Sequence, residues 1–141
     1  MGVPFAGGVI AGDSDTGNLW LLDPTYGLEG EAQIIRVATG TSFHGEGKRV
    51  FFSRVAAEFE TGVGLATGQG SSPTAWLAWS DDGGRTWSND ASVSLGAQGA
   101  YRARAEWRRL GASRQRVFRL QWADPVFTSL IAVDVDAEAG E

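Results

Sequence analysis

The chain contains no cysteine, one histidine and one methionine in 141 residues. Without cysteine there is no disulfide and no thiolate metal site. With His44 as the single imidazole, neither a histidine-based metal centre nor a Ser–His–Asp triad has the groups it needs, and His44 reads as a surface-loop residue. Tyrosine is limited to Tyr26 and Tyr101, which leaves little material for a tyrosine nucleophile. No uninterrupted apolar stretch approaches the roughly 20 residues that a membrane-spanning helix needs. Met1 is followed by no basic segment and no long apolar run, which argues against a secretory leader. The expectation is a chain with no cofactor, no metal and no membrane partner, in the cytosol or in a particle assembled there.

Glycine, by contrast, is abundant at 20 residues, and 43% of residues are hydrophobic, including six tryptophans. That composition belongs to a folded chain with many tight turns, of a length suited to one domain or one domain with a partial second unit. The net charge of −5 conceals an asymmetry. Arg102, Arg104, Arg108, Arg109, Arg114, Arg116 and Arg119 fall in one window opposed only by Glu106, whereas Asp124, Asp134, Asp136, Glu138 and Glu141 follow with no base among them. A basic band followed by an acidic one suggests a self-complementary surface or a local polyanion contact. The plainer reading places the arginines on solvated strand faces beside nearby acids.

Strand signals dominate and helix signals are nearly absent. Gly8 to Ile10 and Asn18 to Leu22 flank a Gly/Asp/Ser turn at residues 12–17, and Asp23-Pro24 ends the second run. This pattern resembles one hairpin of a propeller blade, which cannot bury both of its faces alone. Ala32 to Val37 reads as a short strand and Thr39 to Gly47 as a loop. Lys48 to Thr61 reads as a long strand, with Phe51, Ser53, Val55, Ala57 and Phe59 on one face. Gly62 to Pro73 reads as a flexible loop. Tyr101 to Trp107 alternates strictly, Tyr101, Ala103, Ala105 and Trp107 opposite Arg102, Arg104, Glu106 and Arg108. Leu110 to Ser113 turns the chain, and Phe118, Leu120 and Trp122 then oppose Val117, Arg119 and Gln121. A bend at Asp124-Pro125 precedes a final strand at Phe127 to Val135. Roughly six to eight antiparallel strands between turn signals predict an all-β chain, an antiparallel β-sandwich of jelly-roll-like kind. The expected division is an N-terminal hairpin extension over 1–40, the sandwich over 41–136 and a frayed acidic tail over 137–141.

Ser80-Asp81-Asp82-Gly83-Gly84-Arg85-Thr86-Trp87 reads S-x-D-x-G-x-T-W and resembles an Asp-box, a hairpin signature of sialidase-type propellers that also occurs outside them. Asp82 can accept backbone N–H groups of the turn, Gly83 and Gly84 supply positive φ, and Thr86-Trp87 is expected to open a return strand running to Leu95. Ser80, Asp82, Gly84, Thr86 and Trp87 thus form a candidate hairpin staple, a folding device rather than a catalytic one. In order along the chain, K-R-V-F-F-S-R, E-T-G-V-G, W-S-D-D-G-G-R-T-W-S, Y-R-A-R-A-E-W-R-R-L-G, S-R-Q-R-V-F-R-L and a late D-P resemble the C-terminal region of phage tail-nozzle proteins. These are also called packaged-DNA-stabilisation proteins, or tail accessory factors, of short-tailed phages. The hairpin at Gly12 to Asp23 is similar to what precedes that region in the family. The resemblance implies a structural virion protein of the tail or head-to-tail region. Its partners would be other copies of itself in a ring such as a hexamer, other tail or connector proteins, and packaged DNA.

Other chemistries are weaker. One Asp-box in a chain too short for a propeller does not make a sialidase, and Tyr101 sits among apolar residues. Asp81 with Asp82, and Glu58 with Glu60, offer carboxylates, but nothing sets two of them across a cleft. A carbohydrate- or polyanion-binding sandwich, receptor-binding or capsid-decorating, is the alternative: Trp76, Trp79, Trp87, Trp107 and Trp122 could supply stacking platforms and the arginines could meet phosphates. Tryptophans in alternating strands more often belong to the core. The candidate interface is Arg102, Arg104, Arg108 and Arg119 on a wet sheet face, meeting acids such as Asp134 and Asp136 of a neighbouring copy.

Overall fold

The computed structural model describes residues 2–5, 8–22, 28–29, 31–61, 73–95, 102–123 and 128–140. Tyr26, Tyr101, most of the Gly/Ser-rich loop after Thr61 and the Asp23-Pro24 and Asp124-Pro125 bends lie outside them. In chain order the strands are β1 (Gly2–Phe5), β2 (Gly8–Gly12), β3 (Leu19–Leu22), β4 (Leu28–Glu29), β5 (Ala32–Gln33), β6 (Arg36–Thr39), β7 (Phe43–His44), β8 (Val50–Thr61), β9 (Thr74–Ser80), β10 (Ala91–Ser94), β11 (Arg102–Arg108), β12 (Ala112–Ser113), β13 (Gln115–Trp122) and β14 (Thr128–Ala139).

Two sheets make an antiparallel β-sandwich. The first has the order β10-β9-β13-β6, with β7 continuing the β6 side of β13. The second centres on β8, flanked by β11 and the short β12 on one side and β14 on the other. Alternation sends Ala75 and Leu77 of β9, Phe118, Leu120 and Trp122 of β13, Val55, Ala57 and Phe59 of β8, and Ala105 and Trp107 of β11 into one core. Phe43, Phe52 and Phe118 meet edge-to-face at 5.4–6.0 Å, and Phe59 meets Trp122 at 5.4 Å. One side of the sandwich is closed where the Trp107 indole N–H donates to the Ala91 carbonyl at 2.8 Å, tying β11 to β10. The other side, between β6 and β14, is open. An apolar cleft of about 230 Å³ there reaches Val55, Leu77, Phe118 and Leu120.

Several expectations change. The expected loop from Thr39 to Gly47 contains β7, because burying Phe43 in the aromatic cluster brings its backbone against Arg116 and Gln115. The expected face of β8 is half wrong. Asp136 opposes Arg54 while the next residue, Ala137, opposes Phe52, so Ser53 is an extra residue, a β-bulge. The bulge moves the side-chain phase by one, so Val50 and Phe52 point inward with Val55, Ala57 and Phe59, and Phe51 points out, 53% exposed. The acidic segment from Ala137 is not frayed: β14 runs through Ala139, and Gly140 donates its N–H to the Arg49 carbonyl at 2.7 Å. The sandwich begins before residue 41, since β6 pairs with Arg119–Trp122. The short strand expected over Ala32 to Val37 is divided between β5 and β6, and β5 pairs with β4 instead.

The N-terminal segment forms its own three-stranded antiparallel sheet, β1-β2-β3. Its β2–β3 turn repeats the logic of an Asx-turn. Asp13 accepts from the Asp15 N–H at 2.9 Å and from the Thr16 hydroxyl at 2.6 Å, with Gly17 at φ 72°. Leu19, Leu21 and Leu22 remain exposed.

The bulge gives a direct test. Phe52→Ala should cost about 3–5 kcal/mol as a large core truncation, and Phe51→Ala less than about 1 kcal/mol. Urea unfolding of the two variants measures this. Equal losses would put both rings in the core and remove the bulge.

Candidate functional site

The S-x-D-x-G-x-T-W segment organises the turn after β9. The buried Ser80 hydroxyl donates to Asp82 Oδ1 at 2.7 Å and accepts the Gly84 N–H at 2.8 Å. Asp82 Oδ1 also accepts the Arg85 and Thr86 N–H groups at 3.0 and 2.8 Å, and Oδ2 accepts the Thr86 hydroxyl. Gly83 and Gly84 take φ of 77° and 93°, a left-handed backbone that admits this wrap around one carboxylate. Donation from Thr86, side chain and backbone, and then from Ser80 holds the Asp82 carboxyl far below the usual carboxylate range. With both oxygens engaged by the turn, Asp82 holds its backbone as a structural anion. The return strand starts later than expected, at Ala91, because the Arg85 and Thr86 amides are committed to Asp82 and cannot join a ladder. The hairpin is closed instead by the Ser88 N–H to the Trp79 carbonyl at 2.8 Å and the Trp79 N–H to the Ser88 hydroxyl at 3.0 Å.

The turn also delivers Asp81 to Arg116, a pair that the sequence reading did not single out. Arg116 lies on the inward face of β13, 3% exposed. Its Nε and Nη2 donate to the two Asp81 oxygens at 2.6 and 2.9 Å, and Nη1 donates to the Leu110 carbonyl. The guanidinium carbon lies 4.9 Å from the Phe52 ring centroid, 5.3 Å from Trp79 and 6.0 Å from Phe118. This buried cation is satisfied by a bidentate carboxylate, a carbonyl and π faces together. The available signal was phase: Arg116 shares parity with Phe118, Leu120 and Trp122.

The candidate interface residues divide between the two sheets. Arg104 and Arg108, with Asp134 and Asp136, lie on the outer face of the second sheet, and Arg102 is placed on that sheet by its pairing with Glu60. There the charges answer one another within the chain. Arg54 Nε meets Asp136 at 2.7 Å and its Nη1 meets Glu106 at 2.9 Å. Arg108 meets Glu106 at 3.0 Å, and Arg104 reaches Glu106 at 3.6 Å and Asp134 at 4.0 Å. Asp136 first and Glu106 second raise the Arg54 pKa, and Arg54 in turn lowers both carboxyls. Of the acidic final strand, Asp136 meets Arg54 of the intervening β8, and Asp134 reaches Arg104 only at 4.0 Å.

Arg119 is separate. It lies on the outer face of the first sheet with its guanidinium 4.2 Å from the Trp87 ring centroid. Among the tryptophans, Trp107 and Trp122 are buried, Trp79 packs on the core and Trp76 and Trp87 are half-buried on the outer face. Glu58 and Glu60 share the outward face of β8, as their spacing implies. Among the described residues, no three His, Asp or Glu side chains gather as a metal site.

Two antiparallel sheets packed on one apolar core, with an ion-paired outer face and an aspartate engaged in a turn, define the class: a β-sandwich domain. The family model described as "Bacteriophage P22 Gp10, beta-sandwich" matches residues 35–138, so the chain belongs to that family of phage structural proteins. The match begins just before β6, where strand pairing starts the sandwich, and leaves β1–β3 outside it. No curated protein matches the chain.

Asp81→Asn should destabilise the fold by about 2 kcal/mol in chemical denaturation. That is less than for a fully buried pair, because Asp81 is half-exposed and screened. Asp82 sets a pH dependence. Its folded pKa is depressed below the unfolded value, so its contribution is complete above the ordinary carboxylate range near 3.8 and is lost as pH falls below it. Asp82→Asn should lower the melting temperature at pH 7 by roughly 5 °C and flatten its fall below pH 4. An unaltered acid limb would exclude the staple role.

Proposed function

We propose that this chain is a non-enzymatic component of the phage virion, in the tail nozzle or head-to-tail region, assembled in the host cytoplasm. It works by contacts with other copies of itself in a ring, with a hexamer as the favoured size, and with neighbouring tail or connector proteins. In that place it helps to retain packaged DNA. The observation that carries this reading is the family match over 35–138, which spans the whole sandwich from β6 through nearly all of β14. The proposed domain division is a sandwich from about residue 35, preceded by the N-terminal sheet.

The net negative charge favours retention by steric closure over a phosphate clamp. Net charge is −5, and Arg54, Arg104, Arg108 and Arg116 are engaged by carboxylates of the same chain. Four of the twelve basic residues are thereby engaged within the chain, and any phosphate contacts, which dominate DNA affinity, would fall to the others. The polyanion- or carbohydrate-binding alternative gains no specific support, since no groove among the described residues carries two exposed tryptophans. Ser80, Asp82, Gly84, Thr86 and Trp87 serve this function indirectly, by holding the hairpin.

The test is in the particle. Phage lacking this chain should package DNA and then lose it, so that filled heads decay to empty ones. Mass spectrometry of purified wild-type particles should find the chain in stoichiometric amounts. Stably filled heads without the chain would remove the retention role, and its absence from purified particles would remove the virion role.

A further inference from the structure

From residue 34 onward, the exposed large apolar side chains among the described residues are Ile34, Ile35, Val37, Phe51, Ile131 and Val133. All but Phe51 lie on or just before β6, or on β14, the two strands that border the open side of the sandwich. Natural edge strands usually carry charge or proline where they would otherwise invite pairing. Here each carries exposed β-branched apolar residues beside its charges.

The two strips differ. Ile35 and Val37, 65% and 51% exposed, point away from the core on the outer face of the first sheet. Val37 lies beside Gln121, and Gln121 beside the half-buried Trp76. At one end of this patch stands Arg119, held over Trp87. It makes no hydrogen bond or ion pair among the described residues and buries its Nε without a partner. The second strip is β14, which pairs with β8 along one edge only. Ile131 is the extra residue of a bulge there, 49% exposed, and Val133 at the mouth of the apolar cleft is 41% exposed. Asp134 is held only by Arg104 at 4.0 Å, and Glu138 has no ion pair among the described residues.

The geometry points to a contact between two copies of this chain: the Ile35–Val37–Trp76 face of one copy receives the β14 edge of the next, with Arg119 meeting the exposed acids of that strand. The occupant follows from charge and chemistry. The first patch is apolar with an uncompensated cation. The second is apolar with carboxylates that are weakly held or unpaired, and both belong to this chain. Because the patches are different surfaces, the contact is head-to-tail. Such a contact leaves a free patch at each end and closes as a ring when the rotation permits. The inference rests on the assembly reading above and names its surface. It also moves the charged contact away from Arg104 and Arg108, which their own chain engages, to Arg119.

Sedimentation or light scattering across a concentration series tests this on the full chain. The wild type should associate. Val37→Lys and Ile131→Lys, both at exposed positions, should each weaken association about tenfold or more with the melting temperature unchanged. Arg119→Glu and Asp134→Arg should each weaken it, and mixing these two variants should restore it, since every contact in an alternating assembly then pairs opposite charges. Association insensitive to all four changes, or a mixture that stays dissociated, overturns the proposal. So does a wild-type chain that remains monomeric throughout the series; in that case the chain's presence in particles would still support the virion reading.

Discussion

A guanidinium buried inside a sandwich this small imposes conditions on everything near it. Arg116 points inward from β13 with a full charge, and that charge is tolerable only if donors and acceptors close around it. Asp81 supplies the carboxylate, the Leu110 carbonyl takes a third N–H, and Phe52, Trp79 and Phe118 present π faces. Each of those groups must be brought from a different part of the chain. Asp81 arrives because Asp82 winds the turn after β9, Phe52 faces inward because Ser53 bulges, and Leu110 is buried where the chain turns after β11. The hairpin motif and the buried arginine are therefore one device, with neighbouring aspartates playing opposite roles: Asp82 gathers backbone, and Asp81 answers a cation.

The bulge at Ser53 has a second consequence. It sets Arg54 on the outer face between β11 and β14, where Asp136 and Glu106 converge on it. A one-residue change of phase thereby decides both an aromatic contact in the core and an ion-pair lattice on the surface. That lattice joins Arg54 to Arg104 and Arg108 of the arginine band through Glu106 and the acids of β14. The exposed apolar side chains of the sandwich lie mostly on its open side, on or beside β6 and β14, while Trp107 closes the opposite side against Ala91.

Much of the architecture was legible in local pattern. The alternation in Arg102 to Arg108 and in Arg116 to Trp122 identified two strands and their buried faces, and S-x-D-x-G-x-T-W pointed to a turn after β9, although the return strand starts only at Ala91. Two-residue periodicity failed in the long strand, where an inserted residue inverts the faces with no change in the local signal. It also failed at β7, because a two-residue strand has too little length to show a period and forms only when Phe43 finds its aromatic partners. The segment from Ala137 looked frayed because alanine and glutamate are poor strand formers. The neighbouring β8 supplies the pairing that overrides propensity.

The candidate interface illustrates the same limit at the level of function. Counting charges located a basic window and an acidic end, but the sequence carried no information on whether the two would meet within one chain or between two. Strand order sets β8 between β11 and β14, so that Asp136 meets Arg54 of β8 rather than the basic window. By itself, the sequence determined an all-β chain, the positions of most strands, the hairpin turn and the resemblance to a phage structural family, because each is written in short-range periodicity or in an ordered set of motifs. Only the tertiary structure decided which arginine is buried, which are spent on their own chain and which is left facing outward. Those outcomes depend on register between segments far apart in the chain, and register is settled by packing, where one bulged residue moves every side chain beyond it to the other face.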